Sequence, residues 1–190
     1  MNTSKFDRFY RFILSKAHKK NIILLILLVI ACEVLFMAWL TPLFSEVTGG
    51  ETILDMRFTL FFPYLDEIMD SIGVEGINVY SIIQIVDFIF PLAYGLALSL
   101  GLTALFSGKP QNKSIPVILI SLIPIIGMFF DYLENISIFI LLRLYPSVPY
   151  FLGIVINIFL IGKYLFLGIS LLLIPIGFIY RYLLPKKLST

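Results

Sequence analysis

The chain has 190 residues, is 59% hydrophobic with a mean hydropathy of +1.00, and carries a formal net charge of +2. Soluble domains hold about 45–50% apolar residues, so this composition excludes an ordinary soluble globule. The single cysteine, Cys32, excludes an internal disulfide or a thiolate metal cluster, and the single histidine, His18, lies outside the apolar runs, which removes histidine-based acid–base catalysis and most zinc sites from them.

The first element is "KFDRFYRFILSKAHKK", with six Lys/Arg and one Asp. It predicts either a basic, aromatic helix lying on an anionic leaflet or a solvated basic tail. Residues 1–20 form this segment and residues 21–44 form the first apolar run. No small-x-small site ends that run, so it reads as a retained signal anchor and not as a cleaved peptide. "VIAC" at 29–32 has the form of a lipobox, but "EVLFMAWL" follows where a lipoprotein would turn polar.

Residues 45–80 are more than a linker. "GG" at 49–50 breaks the chain, and "TILDMRF" alternates, which would put Ile53, Asp55 and Arg57 on one side of an extended segment and let Asp55 pair with Arg57. "FPYLDEIMDSIG" then has Pro63 at a helical start, Asp66 and Glu67 in the first turn, and Gly73 at a stop. Leu65, Ile68, Met69 and Ile72 give it one apolar face. It predicts a short amphipathic helix that covers helix ends or caps a cavity.

Three more apolar runs follow, at 81–106, 115–142 and 150–180, before a tail at 181–190. Each exceeds the ~20 residues a helix needs to cross a bilayer, and the last is long enough to tilt or protrude. Unbroken runs of this length do not suit barrel strands. The expected fold is therefore an all-α membrane protein, one domain over residues 1–190, built as a four-transmembrane-helix bundle with a short amphipathic outer helix between helices one and two. Charge sets its orientation. The N-terminal segment, the loop "SGKPQNKS" with Lys109 and Lys113, and the tail with Arg181, Lys186 and Lys187 share one side, whereas residues 45–80 hold seven acids and one base, Arg57, and the last loop holds only Arg143. The positive-inside rule puts both termini in the cytoplasm of a multi-pass cell-membrane protein.

Within these spans lie Glu33, Asp87, Asp131, Glu134 and Lys163, with Gln84, Asn135 and Asn157 beside them. A charge near the bilayer centre costs about 2.5–3.5 kcal/mol even on the lenient scale, so these groups are expected to face one another or water. At ~1.5 Å per residue they fall roughly 9–20 Å below the outer helix ends. Tyr80, Gln84, Asp87, Pro91 and Tyr94 make one stripe; Gly127, Asp131, Glu134 and Asn135 another; Gly153, Asn157 and Tyr164 a third. Lys163 lies about 120° from Asn157 and must bend its stem to join. Pro91 cannot donate to the carbonyl of Asp87, nor Pro124 to that of Ile120, so each leaves an acceptor that needs a partner at membrane depth. Four acids and one lysine sum to −3 if ionised, which requires protonated carboxyls, a bound cation or water. The all-oxygen ligands suit protons or hard cations, and the alternative is a network of interhelical glue.

The motifs Leu54-Asp55-x-Arg57, Gly73-x-x-Gly76-x-x-x-Tyr80, Asp87 ahead of Pro91-x-x-Tyr94, and Asp131-x-x-Glu134-Asn135 resemble a family of small four-helix prokaryotic integral membrane proteins. The match covers most of residues 54–140, with Ile77 where a basic residue is expected. The resemblance implies the architecture and marks these positions without naming an activity. Three functions stay open. One is an outward-facing acidic cavity that binds or conducts a proton, cation or small cationic ligand, with Asp87, Asp131, Glu134, Asn135, Lys163, Glu33, Gln84 and Asn157 as its residues. Another is an assembly subunit. The third is an intramembrane lipid-modifying enzyme, for which no known lipid-transferase, protease or nucleophile-elbow motif occurs. No cofactor and no nucleic-acid partner are expected. The expected partners are the lipid bilayer and, since four helices are few for transport, a second copy or another membrane protein.

Overall fold

Helix α1, Lys5–Lys16, is joined by two residues to α2, Lys19–Leu35, which passes through a π-helical turn at Phe36–Leu40 into α3, Thr41–Val47. The computed structural model describes residues 5–57, 65–107 and 114–183. Pro63, Lys109, Lys113, Lys186 and Lys187 lie outside the described residues. Pro42 follows the π-helical turn inside the continuous run Lys19–Val47, where it has no N–H to give the preceding turn. Most of α2 is exposed, including Leu24, Leu27 and Val34, as are Met37 and Trp39 in the π-helical turn.

Helix α4, Leu65–Asp87, is interrupted at Gly73, whose φ of 63° and ψ of 179° leave the helical region. Such a φ is accessible to glycine without the Cβ penalty. The break separates residues 65–72, with Leu65, Met69 and Ile72 buried, from the stretch that carries Tyr80, Gln84 and Asp87. A two-residue turn then leads to α5, Phe90–Phe106, with Pro91 in its first turn. Helix α6, Ser114–Leu144, and α7, Tyr150–Phe178, complete the chain, the latter ending in a π-helical turn at Ile179–Leu183. Among the described residues there is no strand. Four stretches, Lys19–Val47, Leu65–Phe106, Pro116–Leu144 and Tyr150–Leu183, are long and apolar enough to cross a membrane.

Helix α6 is central, packed against both α5 and α7, while α2 packs mainly on α5. The closest approach of α6 and α7 depends on Gly127 and Gly162: a Cβ on Gly162 would lie 2.5 Å from the Phe130 ring. Phe130 in turn stacks on Phe166. One apolar cluster joins Leu40, Phe44, Leu54, Met69, Tyr80 and Ile138. A second, at the other end, holds Leu102, Phe106 and Val117, with Tyr10 of α1 packed against it. The basic N-terminal segment is thus a helix lying against α5 and α6, with Tyr10, Ile13 and Ala17 turned inward and Arg8, Arg11 and Lys16 outward. Here the Thr103 and Ser121 hydroxyls lie 2.7 Å apart, so one donates across to the other while the second donates back to a carbonyl of its own helix, Ser99 or Val117, a polar contact between α5 and α6.

Residues 51–57 depart from the extended reading. Leu54–Met56 is a 3-10 turn, so Asp55 and Arg57 do not share a side. Arg57 pairs with Glu51 and donates Nε to the Thr52 carbonyl at 3.0 Å. That pairing holds the Glu51 carboxyl below its usual range.

Candidate acidic cavity

The site begins with the break between α4 and α5. Proline at 91 has no N–H for the carbonyl of Asp87. Helix α6 supplies the missing donor: Asn135 Nδ2 donates to Asp87 O at 3.1 Å, and one turn away Tyr132 donates its hydroxyl to Phe88 O at 2.9 Å. Both carbonyls at the break are satisfied by side chains of α6, which meets the demand that apolar surroundings place on backbone groups. The stitch fixes the Asp87 side chain, only 6% exposed, on the wall of a cavity of about 410 Å³. The Asp87 carboxylate makes no hydrogen bond or ion pair among the described residues.

Asp131 lies on the same wall. Its Oδ2 accepts from the Tyr94 hydroxyl at 2.8 Å, and its Oδ1 is 3.5 Å from Lys163 Nζ. Lys163 stands 2.5 Å from Glu134 Oε2, with Glu134 fully buried. Asp131 and Glu134 are three residues apart on α6 and so share a face, and the lysine of α7 bridges them. One ammonium thus stands at ion-pair distance from two carboxylates.

The third acid on the wall is Asp55. Tyr80, wholly buried, holds the 3-10 turn: its oxygen accepts from Leu54 N at 2.8 Å and Asp55 N at 3.4 Å, and its hydroxyl donates to Asp55 Oδ1 at 3.3 Å. The Phe44 ring packs edge-on against Tyr80 at 5.3 Å. Residues 51–57 therefore fold back over the cavity. Burial pushes the Asp55 carboxyl up, and the Lys163 ammonium opposes that shift. Asp55 is thus held by Tyr80 and does not pair with Arg57, a pairing that an extended segment would allow. Its signal was the Leu-Asp-x-Arg motif, together with the position of Tyr80 on the buried stripe.

The remaining expected residues divide. Glu33 lines the cavity from α2 but is exposed, so it stands at the rim and has no buried partner. Gln84, Asn135 and Asn157 are buried and are not on the wall; both polar atoms of the Gln84 side chain, Asn135 Oδ1 and Asn157 Nδ2 lack a hydrogen-bond partner among the described residues. Lys163 does not have to bend round from a face centred on Asn157. The buried residues of α7 are Leu152, Gly153, Ile156, Asn157, Leu160, Lys163, Ser170 and Gly177; Ile156, Lys163, Ser170 and Gly177 recur every seven residues, which a 3.6-residue wheel smears by ~20° per heptad. Tyr164 consequently moves to the cavity rim and is 38% exposed.

The wall is aromatic as well as acidic. Phe36, Phe90, Tyr94 and Tyr164 border the cavity with Asp55, Asp87 and Asp131. Among the described residues no group of three His, Cys, Asp or Glu comes together in a metal-holding arrangement. The arrangement offers a negative field with ring faces, a combination that attracts an organic cation. No protein-family model matches the chain, and no curated protein or solved structure matches it.

Proposed function

We propose that this chain is a multi-pass membrane protein with both termini in the cytoplasm, whose acidic cavity opens outward and binds a small cationic ligand or passes a cation or proton. In this reading the four apolar stretches form a transmembrane bundle, and residues 65–72 are the short amphipathic helix on its outer side. The packing of α6 between α5 and α7 and the break at Gly73 support that arrangement. So does the hydrogen bond from Tyr145 to Asp70, which ties residues 65–72 to the turn between α6 and α7.

One observation carries the functional reading. Among the described residues the Asp87 carboxylate, buried on the cavity wall beside Asp55 and Asp131, has no hydrogen-bond or ion-pair partner, while Lys163 is held by Glu134. A buried carboxylate needs a counter-charge or a proton. An ammonium ligand supplies the first, and rings supply a second attraction worth about 0.5–2 kcal/mol. The test is the unfolding midpoint in maltoside micelles as tetramethylammonium replaces sodium at constant ionic strength. The midpoint should rise for the wild-type chain and stay flat for Asp87→Asn and Asp131→Asn. Equal titrations for all three would remove the reading.

A further inference from the structure

The cavity does not end at its acidic wall. Below Asp87 and Asp131 its lining becomes apolar, through Val29, Ile26, Ala97, Leu98, Leu167 and Leu171. A second cavity of about 610 Å³ shares Ile26, Ala97 and Leu98 with the first and continues along Gly101 and Leu105 of α5 to Phe178. Helices α2 and α7 both pack on α5 and leave this cleft between them. Its floor is shallow because α5 presents Ala97, Gly101 and Ala104, spaced on one face. A Cβ placed on Gly101 meets no atom within 4 Å. From Phe90 to Leu105 the cleft runs about 22 Å at the helical rise, much of the ~30 Å hydrocarbon core. Its two ends differ in charge. The upper end holds Glu33, Asp55, Asp87 and Asp131, and the lower end holds Lys19 and Arg181, the latter donating to the Ala104 carbonyl.

We propose that the ligand of this site is a membrane-borne amphiphile with an ammonium head, the head seated among Asp87, Asp131, Phe90 and Tyr94 and the single apolar chain laid in the cleft between α2 and α7. The proposal rests on the cationic-ligand reading of the cavity and adds the ligand's second half and its path. Charge gives the orientation: the acidic end receives the head, and the basic end rejects it. Geometry gives the chain. The cleft is continuous with the head site, apolar along its length, and open on the side where lipid would lie, so the ligand reaches the acids laterally from the membrane without crossing the cap of residues 51–57.

The test uses alkyltrimethylammonium ions of one, twelve and sixteen carbons in the variable chain as a molecular ruler, with hexadecyl sulfate as the charge control. Binding is measured calorimetrically to the full chain in maltoside micelles. Affinity, taken relative to the amphiphile's partition into protein-free micelles, should rise with chain length, hexadecyl exceeding methyl by at least about tenfold. Gly101→Leu fills open space in the cleft and should lower hexadecyl affinity about tenfold while leaving methyl and dodecyl within about twofold. Ala97→Phe, nearer the head, should also lower dodecyl. Sulfate should not bind. If the methyl ion binds and depends on Asp87 but chain length and Gly101→Leu have no effect, the amphiphile is overturned and the cationic cavity stands. If no ammonium binds, or binding ignores Asp87→Asn, both fall.

Discussion

The side-chain amide of Asn135 donates to the main-chain carbonyl of Asp87 at 3.1 Å, across the helix break that Pro91 enforces. A proline on one helix and an asparagine on another are thus two halves of one device. The proline frees an acceptor, and the asparagine fills it and locks the neighbouring carboxylate onto the cavity wall.

The exchange Asn135→Leu should therefore destabilise the chain by about 1–3 kcal/mol, the cost of leaving a buried acceptor unpaired. Asn157→Leu is the comparison, because Asn157 Nδ2 has no partner to lose, and it should cost less. Unfolding midpoints in micelles read both. Equal losses would show that the Asp87 carbonyl does not need its donor.

The Lys163–Glu134 contact predicts strong coupling. Lys163→Met alone leaves Asp131 and Glu134 facing each other uncompensated and should cost about 3–5 kcal/mol, whereas Lys163→Met combined with Glu134→Gln should recover much of that loss. A double-mutant cycle on these two positions should give a coupling well above the ~0.5 kcal/mol scatter of independent sites. Additive losses would contradict the triad.

Asp55 and Glu51 should bend the pH–stability curve in opposite directions. Burial raises the folded Asp55 carboxyl above its unfolded range, so the native state holds the proton longer and stability falls as pH climbs from about 4 through the raised value. The gain of Asp55→Asn over wild type should then grow as pH rises. Arg57 lowers the folded Glu51 carboxyl, so its contribution is present above the ordinary glutamate range and is lost as pH falls below it; Arg57→Gln should cost stability near neutrality and little in acid. Midpoints measured between about pH 3.5 and 7 decide both slopes.

Much of the architecture is legible in the residues because it is local. Runs long enough to span a bilayer, the glycine break at 73, and the buried stripe from Tyr80 to Tyr94 depend only on hydropathy and a 3.6-residue period. The observed stripe is buried throughout. The free carbonyl at Asp87 was equally readable, since the geometry of proline is covalent. Asn135 as its partner was not, because that depends on how α6 is rotated against α4 and α5.

The same division explains how Lys163 reaches the acids and why Asp55 leaves Arg57. Lys163 and Tyr164 both line the cavity, Lys163 buried and Tyr164 partly exposed, a difference of depth that a single-helix wheel does not resolve over two turns. Asp55 was assigned to Arg57 by strand alternation, yet a 3-10 turn and a hydroxyl 25 residues later in the chain decide otherwise.

The sequence by itself determined that this chain is helical, apolar along four stretches, and burdened with acids inside them, because transfer energies and helix periods are properties of each segment alone. Only the tertiary structure decided which acid meets the lysine, which stands partnerless, and that a cleft joins them to the space between α2 and α7. Those outcomes depend on the mutual rotation of the helices and on the folding back of residues 51–57, which no single segment encodes.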